Sequence, residues 1–210
     1  LETLARMKKL LFRTILLCHS FSFSGVAWAA KAPAVQPNIV FLLADDMNRD
    51  TWGAYGGTDC KTPHIDKLAK EGVRFDRAYC AVAMCAPFRQ ELYSGRSPWR
   101  TGTLPNHSKS TPATRSIGHY LKPLGYRVAL VGKSHVGPRE CYPFETFPAN
   151  EKSKDQNPTY VKHARGFMDS CEKEKKPFCM FIASNDSHAP FTTGDRSVYD
   201  ADALTIPPYW

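Results

Sequence analysis

The residues best suited to chemistry in this chain fall in four short stretches. The first is "MCAPFRQELYSGR", which places Cys85, Pro87 and Arg89 in a fixed order. The stretch reads as the start of a helix. There a side chain meets free N–H groups and the positive end of the helix dipole, both of which favour negative charge. Pro87 suits a first turn because it lacks an N–H that would be orphaned anyway. Arg89 follows Cys85 by four residues and so reaches the same side. The constellation would stabilise an anionic oxygen at position 85.

The other stretches carry acids, a lysine and histidines. "NIVFLLADD" ends in Asp45 and Asp46. Adjacent carboxylates repel, and holding both ionised favours a hard divalent cation such as Ca²⁺ or Mg²⁺. "GKSH" supplies Lys133 and His135, and "NDSHAPF" supplies Asn185 and His188. Each piece has a plain alternative: a turn, a polar loop, a surface charge, or a cysteine acting as a small buried hydrophobe. Their order along one topology sets them apart from those alternatives.

That topology is read from the apolar pattern. The run from Asn38 to Ala44 is continuous and reads as a buried parallel strand, as do "YRVALVG" and "PFCMFIAS". "TPHIDKLAKEG" predicts a helix with Thr62 as N-cap, Pro63 at the first helical position and Gly72 as its stop. "VRFDRAYC" reads as a short strand, Pro87 to Ser94 as a helix, and "SIGHYLKPLGY" as a helix interrupted near Pro123. Residues 139–158 read as a long polar, proline-rich loop, and Thr159 to Lys175 as a helix. Strands alternating with helices predict an α/β fold, with a mainly parallel sheet and helices on both faces. In such sheets ligands bind beyond the carboxyl ends of the strands. Three separate strands therefore deliver Asp45 and Asp46, Lys133 and His135, and Asn185 and His188 to one edge.

Composition bounds the rest. The chain has 210 residues, 42% hydrophobic and 23% charged, which suits one globular domain or a large part of one. Residues 1–30 read as a secretory signal peptide with a mis-called start: Lys8-Lys9 after Met7, an apolar run, then "AWAA" with cleavage near Ala29 or Ala30. The expectation is an exported protein, periplasmic or secreted, with no membrane anchor after cleavage. The net charge of +8 includes +3 from the leader (Arg6, Lys8, Lys9 and Arg13 against Glu2), leaving +5 for residues 31–210. Those charges are scattered rather than striped, which argues against a nucleic-acid partner and leaves a mild field favouring an anionic substrate. Of seven cysteines, Cys18 falls in the leader; no CxxC pair and no His/Cys spacing points to structural zinc.

Taken together, "NIVFLLADD", "TPHIDKLAKEGVRFDRAYC", "CAPFRQELYSGRSPWRTG", "GYRVALVGKSHVG" and "SHAPF" resemble the sulfatases of the alkaline-phosphatase superfamily, over about residues 38–210. "GKSHVGPRECYPFETF" and the closing "LTIPPYW" resemble the heparan N-sulfatase (sulfamidase) branch. The resemblance implies an alkaline-phosphatase-like fold. It also implies that Cys85, in the family's C-x-P-x-R motif, is oxidised by a maturation enzyme to formylglycine, whose hydrate is the nucleophile. Asp45, Asp46 and residue 85 would bind Ca²⁺, with Mg²⁺ possible. Arg89 would steady the hydrate. Lys133 and His188 would hold the sulfo group, with His188 near the leaving atom, and His135 would be the base in the second step. The implied substrate is a sulfated carbohydrate. Two departures stand out. Phe88 occupies the position where most members have serine. The family's later metal-ligand pair and a further lysine have no counterpart before Trp210, so the expectation is the N-terminal part of a catalytic domain, incomplete at its C-terminus. The alternatives are a phosphoryl or phosphonate monoester hydrolase of the same superfamily, or a non-catalytic module that binds sulfated glycan.

Overall fold

In the structure, a computed structural model, residues 36–149 and 157–189 are described. The expected leader, residues 150–156 and the closing "LTIPPYW" lie outside them. The chain divides into two units, Leu1–Gln36 and Pro37–Trp210. The elements below all belong to the second.

Four strands form one sheet: β1 (Ile39–Ala44), β2 (Arg127–Gly132), β3 (Glu145–Phe147) and β4 (Phe178–Ser184). Their order is β1-β4-β2-β3 and every pairing is parallel. The α/β class with a parallel sheet is therefore observed. β4 lies between β1 and β2, with Ala44 opposite Ser184 and Gly132 opposite Ala183. The three strands singled out for their carboxyl ends are thus immediate neighbours.

Alternation along β2 and β4 divides the core into two layers. Val128, Leu130, Cys179 and Phe181 face one side, where they meet Tyr93 and Leu92 of α2 (Cys85–Ser94) and Ile117 and Leu121 of α4 (Ile117–Leu121). Ala129, Val131, Phe178 and Met180 face the other, against Tyr160, Ala164, Phe167 and Cys171 of α5 (Asn157–Glu174). Helices thus cover both faces. The first layer is rich in rings: Tyr93 meets Phe181 edge-on at 4.8 Å and Phe144 at 5.3 Å. Such pairs contribute about 0.5–1.5 kcal/mol each beyond their burial. On the second side Arg127 ties β2 to its neighbours. It bonds Glu145 of β3, Ser170 and Glu174 of α5, and lies 4.9 Å over the Phe167 ring.

Some local expectations are corrected. Residues 73–80 form no strand; all are exposed, because no neighbouring strand among the described residues offers them a ladder. The expected loop 139–158 contains a 3₁₀ turn at Arg139–Cys141 and strand β3, which pairs with Ala129–Val131. Helix α1 (Pro63–Glu71) has Pro63 at its start, but Thr62 makes no capping bond to it. The Thr62 hydroxyl instead donates to the Asp66 carboxylate and accepts from the Gly53 N–H. A short helix, α3 (Pro98–Thr101), follows α2. Among the described residues no helix is long and apolar enough to cross a membrane, and Cys60, Cys80, Cys85, Cys141, Cys171 and Cys179 are all free thiols.

Candidate active site

Cys85 is the first residue of α2, with Met84 extended before it. Phe88 N–H closes the first helical bond onto the Met84 carbonyl. The Ala86 N–H, otherwise orphaned, donates to Asn106 Oδ1 at 3.2 Å, and Pro87 has no N–H to satisfy. The thiol therefore sits at a helix start whose exposed donors have been reduced to a few.

One carboxylate organises this thiol. Asp45 is only 6% exposed. Its Oδ1 lies 3.3 Å from an Arg89 guanidinium nitrogen and 3.9 Å from Cys85 Sγ, and its Oδ2 pairs with Lys133 Nζ. Lys133 Nζ is also 3.7 Å from the sulfur. Arg89 is buried and donates a second time, to the Lys133 carbonyl at 3.2 Å. Burial pushes the Asp45 carboxyl up, but the Lys133 hydrogen bond and the charges of Arg89 and Lys133 outweigh it and hold the group below its ordinary value. From β4, the Ser187 hydroxyl donates to the Asp45 backbone carbonyl. Asp45, Cys85, Arg89 and Lys133 thus meet in one cluster. A cavity of about 230 Å³ opens over Asp45, Asp46, Cys85 and Arg89.

Asp46 and His188 form an outer limb. Asp46 is exposed and has a left-handed backbone (φ 53°). Its Oδ2 lies 3.6 Å from His188 Nε2. His188 Nδ1 is 2.8 Å from the Ala189 carbonyl. A carbonyl can only accept, so Nδ1 carries the proton and Nε2 is the nitrogen left to face the site.

His135 lies apart from that limb. Its Nε2 is 2.9 Å from Nδ1 of His107, a residue the sequence reading did not single out. Burial, then the nearby His107 and Lys133, lowers its pKa from the ordinary histidine value. Asn185 follows β4, and its backbone N–H donates to the Tyr160 hydroxyl at 3.1 Å; among the described residues its side chain makes no bond toward the cluster. Two atoms in these loops, His135 Nδ1 and Asn185 Oδ1, are buried with no hydrogen-bond partner among the described residues.

Donor atoms of Asp45, Cys85 and His188 all lie within 4.8 Å of one another. Asp46 is not part of that trio. With a thiol at position 85 the set is carboxylate, sulfur and imidazole, which suits a borderline cation. A cation therefore fits these donors.

The parallel sheet and its charged centre at the strand ends define the class first: an open α/β protein of the doubly covered kind. More narrowly, the chain belongs to the sulfatase family, whose model, described as "Sulfatase", matches residues 37–203. It is 37% identical over 171 residues to an ulvan-active sulfatase of Formosa agariphila, covering 77% of this chain and 32% of that protein. It is 32% identical over 161 residues to human N-sulphoglucosamine sulphohydrolase, covering 72% of this chain and 32% of that protein. A solved structure in complex with its substrate D-glucosamine-2-N,6-O-disulfate shares the fold, with a TM-score of 0.66 at 24% identity over 74% of this chain and 35% of that one. The chain spans about a third of the length of these curated relatives.

Proposed function

We propose that this chain carries the nucleophile side of a site that hydrolyses sulfate esters or sulfamates of carbohydrates, and that residue 85 works as formylglycine. The observation behind the reading is the cluster at the start of α2: Cys85 Sγ at 3.9 Å from Asp45 Oδ1 and 3.7 Å from Lys133 Nζ, with Arg89 paired to the same carboxylate. Oxidised to an aldehyde and hydrated, residue 85 would offer hydroxyl oxygens for attack on sulfur. A divalent cation held by Asp45, Asp46 and residue 85 would supply positive charge against the sulfo oxygens.

The chain's own groups supply the rest. Lys133 holds a sulfo oxygen, and Arg89 keeps Asp45 ionised and fixed beside residue 85. His188 presents Nε2 toward the leaving atom and would donate a proton to it, with Asp46 Oδ2 3.6 Å from that nitrogen. The leaving oxygen or nitrogen takes that proton as the sulfur–leaving-atom bond breaks. His135 then removes the proton of the second hydroxyl, so that the residue-85 carbon–oxygen bond to sulfate breaks and sulfate departs. A neutral imidazole is needed for that step, and the lowered pKa of His135 supplies it.

The implied partners are the sulfated carbohydrate and a maturation enzyme that accepts Phe88 in the motif. The alanine-rich end of the leader supports export as the setting. The test is mass spectrometry of the peptide spanning residues 80–89 from protein co-produced with a formylglycine-forming enzyme, alongside turnover of matched sulfate and phosphate esters. Aldehyde or its hydrate at residue 85 with preference for the sulfate ester is expected. An active preparation with an intact thiol would overturn the nucleophile assignment, and preference for the phosphate ester would favour a phosphoryl hydrolase.

A further inference from the structure

We propose that His107 is a positioning residue for His135, fixing which of its two ring nitrogens is bare. The inference rests on the reading of His135 as a base.

His135 Nε2 is occupied, 2.9 Å from His107 Nδ1. The nitrogen left for proton transfer is therefore Nδ1, which is buried and without a partner among the described residues. Two arrangements of the shared proton exist. If His107 Nδ1–H donates, a neutral His135 must carry its own proton on Nδ1, where it is a buried donor with no acceptor. If His135 Nε2–H donates, Nδ1 keeps only a lone pair. Orphaned buried donors are rarer than under-used acceptors, so the second arrangement wins. It is also the one that leaves Nδ1 bare and able to accept a proton. The charges that act on this ring are Lys133, Arg89 and Asp45, the same groups that surround Cys85.

His107 is held for this task. It adopts a left-handed backbone, φ 62°, as His135 does at φ 47°. Histidine is among the few non-glycine residues enriched there. The preceding Asn106 Oδ1 accepts both from the His107 N–H at 3.1 Å and from the Ala86 N–H next to Cys85 at 3.2 Å. Gln90, fully buried in α2, donates to the Ser108 carbonyl and accepts from the Ser110 hydroxyl. The Ser110 N–H donates to the Gly137 carbonyl at 2.7 Å, two residues after His135. The segment 106–110 is thus fastened to the helix carrying residue 85 and to the loop carrying His135. A partner mounted this way sets orientation as well as tautomer.

The test compares His107→Gly with His107→Asn. Glycine removes the ring and tolerates the backbone; asparagine also tolerates it and places an amide oxygen where Nδ1 stood. Side-chain ¹H–¹⁵N spectra of histidine-labelled protein read the tautomer without any turnover. In the wild type, His135 should report a protonated Nε2 and a bare Nδ1. In His107→Gly it should report mixed tautomers, and kcat for 4-nitrophenyl sulfate should fall about 10–100-fold with KM little changed, while His107→Asn recovers most of both. An unchanged His135 tautomer in His107→Gly overturns the proposal, as does an unchanged kcat in a protein whose His135→Ala variant is inactive. Wild-type turnover by His135→Ala would instead remove the base assignment, and the proposal with it.

Discussion

Asp45 and Asp46 are adjacent in the chain and opposite in circumstance. Asp45 is buried, paired with Arg89 and Lys133, and fixed through its own carbonyl by Ser187. Asp46 is exposed and, among the described residues, pairs with a histidine at 3.6 Å. The contrast extends to the elements behind them. Toward β2, β4 and α2 the packing is dense, with Val128, Ala129, Val131 and Cys179 fully buried. Toward the outer face of β1 it is open: Val40 is 49% and Leu42 62% exposed, beside an apolar trough of about 980 Å³ also lined by Ile65, Leu68 and Ile182. One half of the centre is therefore part of the folding core, and the other half is set by loop geometry alone. Substitutions should separate the two halves by what they damage.

The largest effect is expected at the inner acid. Asp45→Ala leaves the Arg89 guanidinium, 3% exposed, without its counter-charge. Breaking a buried pair in this way costs about 3–5 kcal/mol, measurable as a fall in the urea midpoint. The same pair gives a pH signature. The folded Asp45 pKa lies below its ordinary value of 3.8. Its contribution is complete above that value and is lost as pH falls through the lower folded value, because the unfolded chain takes up the proton first. The acid limb of wild-type stability should therefore be steeper than that of Asp45→Ala. Equal limbs would mean that the pair contributes nothing to the folded state.

Next comes the junction between β2 and β4. Gly132 has φ 89°, and a Cβ there would lie 2.3 Å from the Ala183 carbonyl oxygen. The close approach lets Lys133 N–H bond the same carbonyl at 3.0 Å, which aims the lysine at Asp45. Gly132→Ala should destabilise by about 1–3 kcal/mol from the backbone alone, with a further loss from the clash. A thermal midpoint equal to wild type would show that the strand ends can part without consequence.

The legibility of these features follows the same division. β1, β2 and β4 could be read as strands because each is a continuous apolar run, and their ends then locate Asp45, Lys133 and His188 by a general rule of α/β sheets. Burial holds for β2 and β4, whereas β1, expected to be buried, is mostly exposed because it pairs only with β4 among the described residues. β3 could not be read, since Glu145–Phe147 is three residues between Pro143 and Pro148 and exists through its pairing with β2. Residues 73–80 misled for the converse reason: Val73, Phe75 and Tyr79 have strand-forming side chains, but such preference is realised only against a neighbour. His107 left no trace because its partner lies 28 residues away and nothing in their spacing marks the contact. The split between Asp45 and Asp46 was invisible too, because it lies in tertiary partners, Arg89 and Lys133 for one and His188 for the other, that adjacent positions do not reveal.

A smaller effect should appear in metal preference, where the outer limb enters. With Cys85 as a thiol, the trio Asp45, Cys85 and His188 should favour Zn²⁺ over Ca²⁺. With residue 85 oxidised to an oxygen donor, the order should reverse by at least about tenfold in affinity, or 1.4 kcal/mol. Titration calorimetry of the two forms reads this directly. The same preference in both would mean that residue 85 is not a ligand.

The smallest structural effect belongs to the outer acid, and it is the most informative. Asp46→Asn removes a charge from an exposed side chain, and asparagine tolerates the left-handed backbone that Asp46 adopts at φ 53°. Nothing buried loses a partner. Stability should therefore stay within about 0.5 kcal/mol of wild type, the usual range for exposed positions. Ca²⁺ affinity should fall nonetheless, because a hard cation loses an anionic oxygen. A variant that folds normally and binds calcium weakly would mark Asp46 as a residue kept for the ion. If calcium binds the Asp46→Asn variant as tightly as wild type, the ion's ligands lie on the inner side alone, and the left-handed turn at Asp46 serves only to end β1.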